Sequence, residues 1–164
     1  MTKPELLRLL NAIEFPRRYW ELCDRFPIRP VSVGQAGRKE DILQAFQDLG
    51  IKPCYDSRDR SFSCEKEQIG SSVWWGVFCK QRSGVELLFC GKFENTPIGS
   101  NFAVLSYDAR RLADSSFERS QFSDPPPYPR PNHNGDPAAL KAIVKEFVFL
   151  VRMIKDAIRS KTAG

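Results

Sequence analysis

The chain has 164 residues, 41% of them hydrophobic and 27% charged, with a net charge of +5. That length supports one well-cored domain but not two, and the composition is that of a globular protein, not of a disordered or fibrous one. No run approaches the ~18 apolar residues of a membrane span, and Met1-Thr2-Lys3-Pro4-Glu5 lacks the apolar core of a signal peptide, so a cytoplasmic protein with no membrane association is expected.

Thr2 and Glu5 have the spacing of a capping box, which predicts a first short helix carrying Leu6, Leu7, Leu9, Leu10 and Ile13. Phe15-Pro16 interrupts it. Residues 17–26 continue as a second helical piece with Trp20, Cys23 and Tyr19 turned inward, closed by Pro27 and Pro30; 31–37 is a turn or short link. Residues 39–49 place Ile42, Leu43, Phe46 and Leu49 on one side of a third helix. Gly50 follows as its left-handed C-cap, Ile51 as the apolar partner, and Pro53 as the stop.

The middle of the chain reads as β-structure. Residues 54–56 and 61–65 flank the polar turn Ser57-Arg58-Asp59-Arg60, and residues 73–80 and 85–93 flank Gln81-Arg82-Ser83-Gly84. Val73-Trp74-Trp75-Gly76-Val77-Phe78-Cys79 is apolar on both alternating faces, which predicts a central strand covered on both sides. Residues 102–107 are expected to add a strand and 110–117 a brief helix. The stretch 115–136 is polar and rich in proline, a composition suited to extended backbone crossing a surface. Asp136 as N-cap and Pro137 at the first position then open a long amphipathic helix, 137–160. Its apolar stripe is Leu140, Ile143, Val144, Phe147, Val148, Val151, Ile154 and Ile158.

The expected architecture is therefore α+β in a single domain, 1–164. A helical part (1–50) precedes an antiparallel sheet of four to five strands (51–108), then the proline-rich loop and the C-terminal helix. Charge is uneven: from Pro137 onward six basic and two acidic residues supply +4 of the chain's +5. That excess is the solvated face of one helix and not a field over the whole surface.

Motifs for chemistry are scarce. The five cysteines include no C-x-x-C pair, which speaks against a metal knuckle or a thioredoxin-type site, and no metal ligand set or cofactor is expected. Cys54 and Cys64 flank a hairpin, so a disulfide there stays open. The one histidine, His133, sits in Pro131-Asn132-His133-Asn134-Gly135 just before the last helix. A Cys–His or Ser–His nucleophilic system would have to use it. No glycine-rich phosphate loop or nucleophile elbow occurs. A helix followed by a hairpin admits a winged-helix reading, but Glu40, Asp41 and Asp48 on that helix would meet phosphates with like charge.

The order of short N-terminal helices, an aromatic hairpin containing Val73-Trp74-Trp75-Gly76, a Tyr128-Pro129-Arg130-Pro131 loop and a final amphipathic helix resembles the small cytoplasmic immunity proteins of bacterial polymorphic toxin systems. These include contact-dependent inhibition, Rhs and type VI effector systems. The resemblance implies a protein-binding inhibitor that neutralises a cognate toxin domain by direct complex formation, with no catalytic residues of its own. Exposed groups at the hairpin tips and in the proline-rich loop are the expected contacts: Arg58, Asp59, Arg60, Arg82, Tyr128 and Arg130. The alternatives are a nucleic-acid-binding or small-molecule-binding module, and an enzyme using a cysteine or His133.

Overall fold

A computed structural model describes residues 1–30, 37–117 and 129–163. Among them are five helices, α1 (Lys3–Ala12), α2 (Phe15–Arg25), α3 (Lys39–Gln47), α4 (Phe102–Ala113) and α5 (Pro137–Ala163). Six strands form one antiparallel sheet: β1 (Cys54–Asp56), β2 (Ser61–Ser63), β3 (Glu67–Ile69), β4 (Ser72–Lys80), β5 (Val85–Phe93) and β6 (Thr96–Asn101). The strand order is β1-β2-β4-β5-β6, with β3 also paired to β4. The α+β architecture is as expected, with a sheet larger by at least one strand.

Local chemistry accounts for the helix ends. The Glu5 amide donates to Thr2 Oγ1 while the Thr2 amide donates to Glu5 Oε2, so both halves of the capping box form. Pro16 enters α2 in its first turn, where its missing N–H leaves no bond unmade. Beyond α3 the Ile51 amide donates to the Phe46 carbonyl and the Gly50 amide to the Gln47 carbonyl, with Gly50 at φ +70. This is the doubly bonded C-terminal motif that the Gly50–Ile51 pair predicts. At α5 the Ala138 amide donates to Asp136 Oδ1 at 2.9 Å, and all eight stripe residues are buried.

The expected strand at 102–107 is instead the first half of α4. The Val104 amide donates to Asn101 Oδ1 at 2.8 Å, an N-cap bond that ends β6 and starts the helix. Phe102, Leu105 and Ala109 then share its buried side at helical spacing. β6 itself was hidden by Pro97, which the strand tolerates because it lies at the sheet edge.

The core lies between one sheet face and the helices. Trp74 stacks on Phe89 with centroids 5.3 Å apart, and Phe46 of α3 meets Phe62, Phe78 and Phe147. Phe102 reaches the same cluster from α4, contacting Phe15, Tyr19 and Phe147. Gly76 lets α5 settle on β4: a Cβ there would stand 2.6 Å from Val151 Cγ2 and 2.8 Å from the Phe147 ring.

Candidate functional site

Strand alternation sets the site. Ser72, Trp74, Gly76 and Phe78 on β4, with Val85, Leu87, Phe89 and Gly91 on β5, face the helices and are buried. Their neighbours Val73, Trp75, Val77, Leu88 and Cys90 point the other way and are all half-exposed. Trp75 pairs with Cys90 and Val77 with Leu88, so these side chains form one contiguous patch. Lys66 stands over the Trp75 ring at 4.9 Å. An antiparallel sheet covered on one side ordinarily turns polar residues to the other. This one carries apolar side chains on that face as well, and among the described residues the helices pack against the other face.

Both hairpin tips lie at one end of this patch. Register places Asp56 opposite Ser61, Ser61 opposite Cys79 and Cys79 opposite Glu86, a polar row across four strands. Arg58, 89% exposed, binds Asp56 at 2.9 Å and holds its carboxyl below the usual carboxylate range. Asp59 accepts from Ser61 Oγ at 2.7 Å. Arg60 adopts φ +55, and its carbonyl accepts from the Lys80 amide at 3.4 Å, which locks the β1–β2 turn against β4. Arg82 is exposed in the β4–β5 turn. Arg130 reaches Glu86 at 2.9 Å, with both side chains largely covered. The fold thus gathers Arg58, Asp59, Arg60, Arg82 and Arg130 at one rim; Tyr128 lies outside the described residues.

His133 is a structural residue. It is fully buried, its Nδ1 accepts from the Gly135 amide at 3.0 Å, and its Nε2 faces the Gln81 carbonyl at 3.3 Å. The ring proton therefore resides on Nε2. Burial, the dominant cause, pushes its pKa below 6.5. Its neighbours extend the staple. Asn134 Nδ2 donates to the Pro27 carbonyl at 2.9 Å, and the Asn134 amide to the Ser83 carbonyl at 2.9 Å. The Val85 amide donates to the Pro131 carbonyl at 3.1 Å. The segment entering α5 thereby fixes the β4–β5 turn that presents Arg82.

All five cysteines are free. Cys54 lies opposite Ser63, so Cys64 projects to the other face of the sheet and no bridge joins the two. Burial pushes the Cys23 thiol up to about 12 and those of Cys64 and Cys79 up to about 11, disfavouring the nucleophilic thiolate at neutral pH. Among the described residues no three His, Cys, Asp or Glu side chains converge as a metal site.

No protein-family model, curated protein or solved structure matches this chain.

Proposed function

We propose that this protein acts by binding another protein through the outer face of its sheet, as an inhibitor of a cognate toxin domain. The observation that carries the binding reading is the half-exposed apolar patch of Val73, Trp75, Val77 and Leu88 beside a charged rim. An apolar centre edged by hydrogen-bonding and charged groups is the anatomy of a protein interface. Trp75 supplies a large rigid anchor, and Arg58, Arg60 and Arg82 supply charge that selects the partner and speeds encounter. Their surplus over the local carboxylates calls for a partner that is acidic or neutral where it touches this end. The toxin assignment rests on the organisational resemblance to immunity proteins, and action in the cytoplasm belongs to the same proposal. Among the described residues no helix is long and apolar enough to cross a membrane.

The test is capture of the tagged chain's partner from native lysate, followed by co-expression with the product of the adjacent gene. A stoichiometric complex that protects cells from that product supports the proposal. Recovery without complex or protection overturns the toxin assignment. Recovery of nucleic acid alone, lost steeply with added salt, would move the rim arginines to phosphate binding.

A further inference from the structure

On the helix side of the sheet a cleft of about 640 Å³ opens between α5, the 64–67 segment joining β2 to β3, and the turn at 50–52. Its floor is apolar, formed by Ile51, Val148 and Val151. Its walls carry Lys52, Lys66, Arg152, Lys155 and Arg159 against two carboxylates, Glu65 and Glu67. Arg152, Lys155 and Arg159 share one face of α5 at helical spacing.

The charges do not cancel. Glu67 takes both Lys155, at 3.2 Å, and Arg159, whose Nε donates to it at 3.1 Å and which also pairs with Asp156. Lys66 is turned over Trp75. Lys52 and Arg152 meet no carboxylate among the described residues. Lys155 is the telling residue, because only 9% of its side chain reaches solvent. Two of its three N–H donors have acceptors, Glu67 and the Glu65 carbonyl at 3.3 Å. That leaves Nζ with capacity for a third bond at the wall of the cleft, which Lys155 lines. Cationic donors above an apolar floor, in a cleft within the size range of small-molecule sites, match one ligand chemistry.

We propose that this cleft binds a small organic anion, its phosphate or carboxylate held by Arg152 and Lys155 and its apolar body lying on Ile51, Val148 and Val151. Lys66, which lines this cleft and also stands over Trp75, adjoins the protein-binding face, but the test reads ligand shifts and does not depend on that reading.

Backbone NMR of the full chain, titrated with phenyl phosphate, benzoate, inorganic phosphate and benzyl alcohol, decides the matter. The expected result is saturable shifts confined to 50–52, 64–67 and 148–159 with phenyl phosphate or benzoate. The stronger of the two identifies the anionic group. Arg152→Ala, an exposed position that leaves the core intact, should weaken that binding at least ~10-fold, the effect of losing one charge-assisted hydrogen bond. Lys155→Met should abolish it where the variant's spectrum shows the native fold. Absence of saturable shifts would overturn the proposal, as would shifts unchanged in Arg152→Ala, or benzyl alcohol binding as tightly as phenyl phosphate.

Discussion

Trp74 and Trp75 are neighbours in sequence and opposites in role. Trp74 is fully buried against Phe89 while Trp75 points to the half-exposed face. Trp74→Ala should cost about 3–5 kcal/mol in urea unfolding, the usual loss for a large core aromatic. Trp75→Ala should leave the unfolding midpoint nearly unchanged yet weaken partner binding ~30-fold or more, the loss of a central anchor. Equal destabilisation by the two would show that the outer face is part of the core. His133 gives a second handle. Its folded pKa lies below 6.5, so the unfolded chain binds the proton first as pH falls. The histidine's contribution is complete above pH 6.5 and is lost as pH drops from there towards the depressed folded value, by at most ~1.4 kcal/mol per pH unit. Denaturant unfolding from pH 7.5 to 5.5 should show that decline, and His133→Gln should flatten it.

At the scale of elements, two contacts position the long C-terminal helix. Gly76 allows α5 to approach β4 within what would be a clash for any side chain, so Gly76→Ala should destabilise by ~1–3 kcal/mol through overpacking against Val151 and Phe147. Thermal unfolding followed by circular dichroism would read this directly. Asp136→Ala, which removes the bond to the Ala138 amide, should cost ~1 kcal/mol by the same measurement. α4 shows why strand and helix signals compete over short runs. Residues 102–107 are apolar enough for either, and the decision falls to Asn101, whose side chain caps the first turn. β3 was not legible in the sequence, because three residues carry too little periodicity, and it exists through its pairing with β4 across the turn at Gly70-Ser71.

For the molecule as a whole, charge separates the two surfaces. The hairpin-tip rim alternates Arg58, Arg60 and Arg82 with Asp56 and Asp59, while the α5 cleft gathers five cations around two carboxylates. Affinity for a protein partner at the mixed rim should fall only modestly between 0.05 and 0.5 M salt, since apolar contact supplies most of it. Stopped-flow association should slow over the same range if that partner is acidic. A drop in affinity of several orders of magnitude would point to a polyanion at the rim.

The helices with strong local signals were readable from residues alone: the Thr2–Glu5 box, the Gly50–Ile51 terminator and the Asp136-Pro137 entry each act within a few residues of backbone. The two long hairpin strands were equally plain from their apolar runs and polar turns. So was the placing of charged groups at the tips, although not their convergence. Which of two apolar strand faces would be buried could not be read locally, because both have the same composition and the choice depends on where the helices pack. The same holds for the cleft, to which α5 brings Arg152, Lys155, Arg159, Val148 and Val151, while Ile51, Lys52 and the 64–67 segment come from about ninety residues earlier. Lys155 and Glu67 meet only because the sheet and the last helix pack together, and distance along the chain carries no trace of that contact.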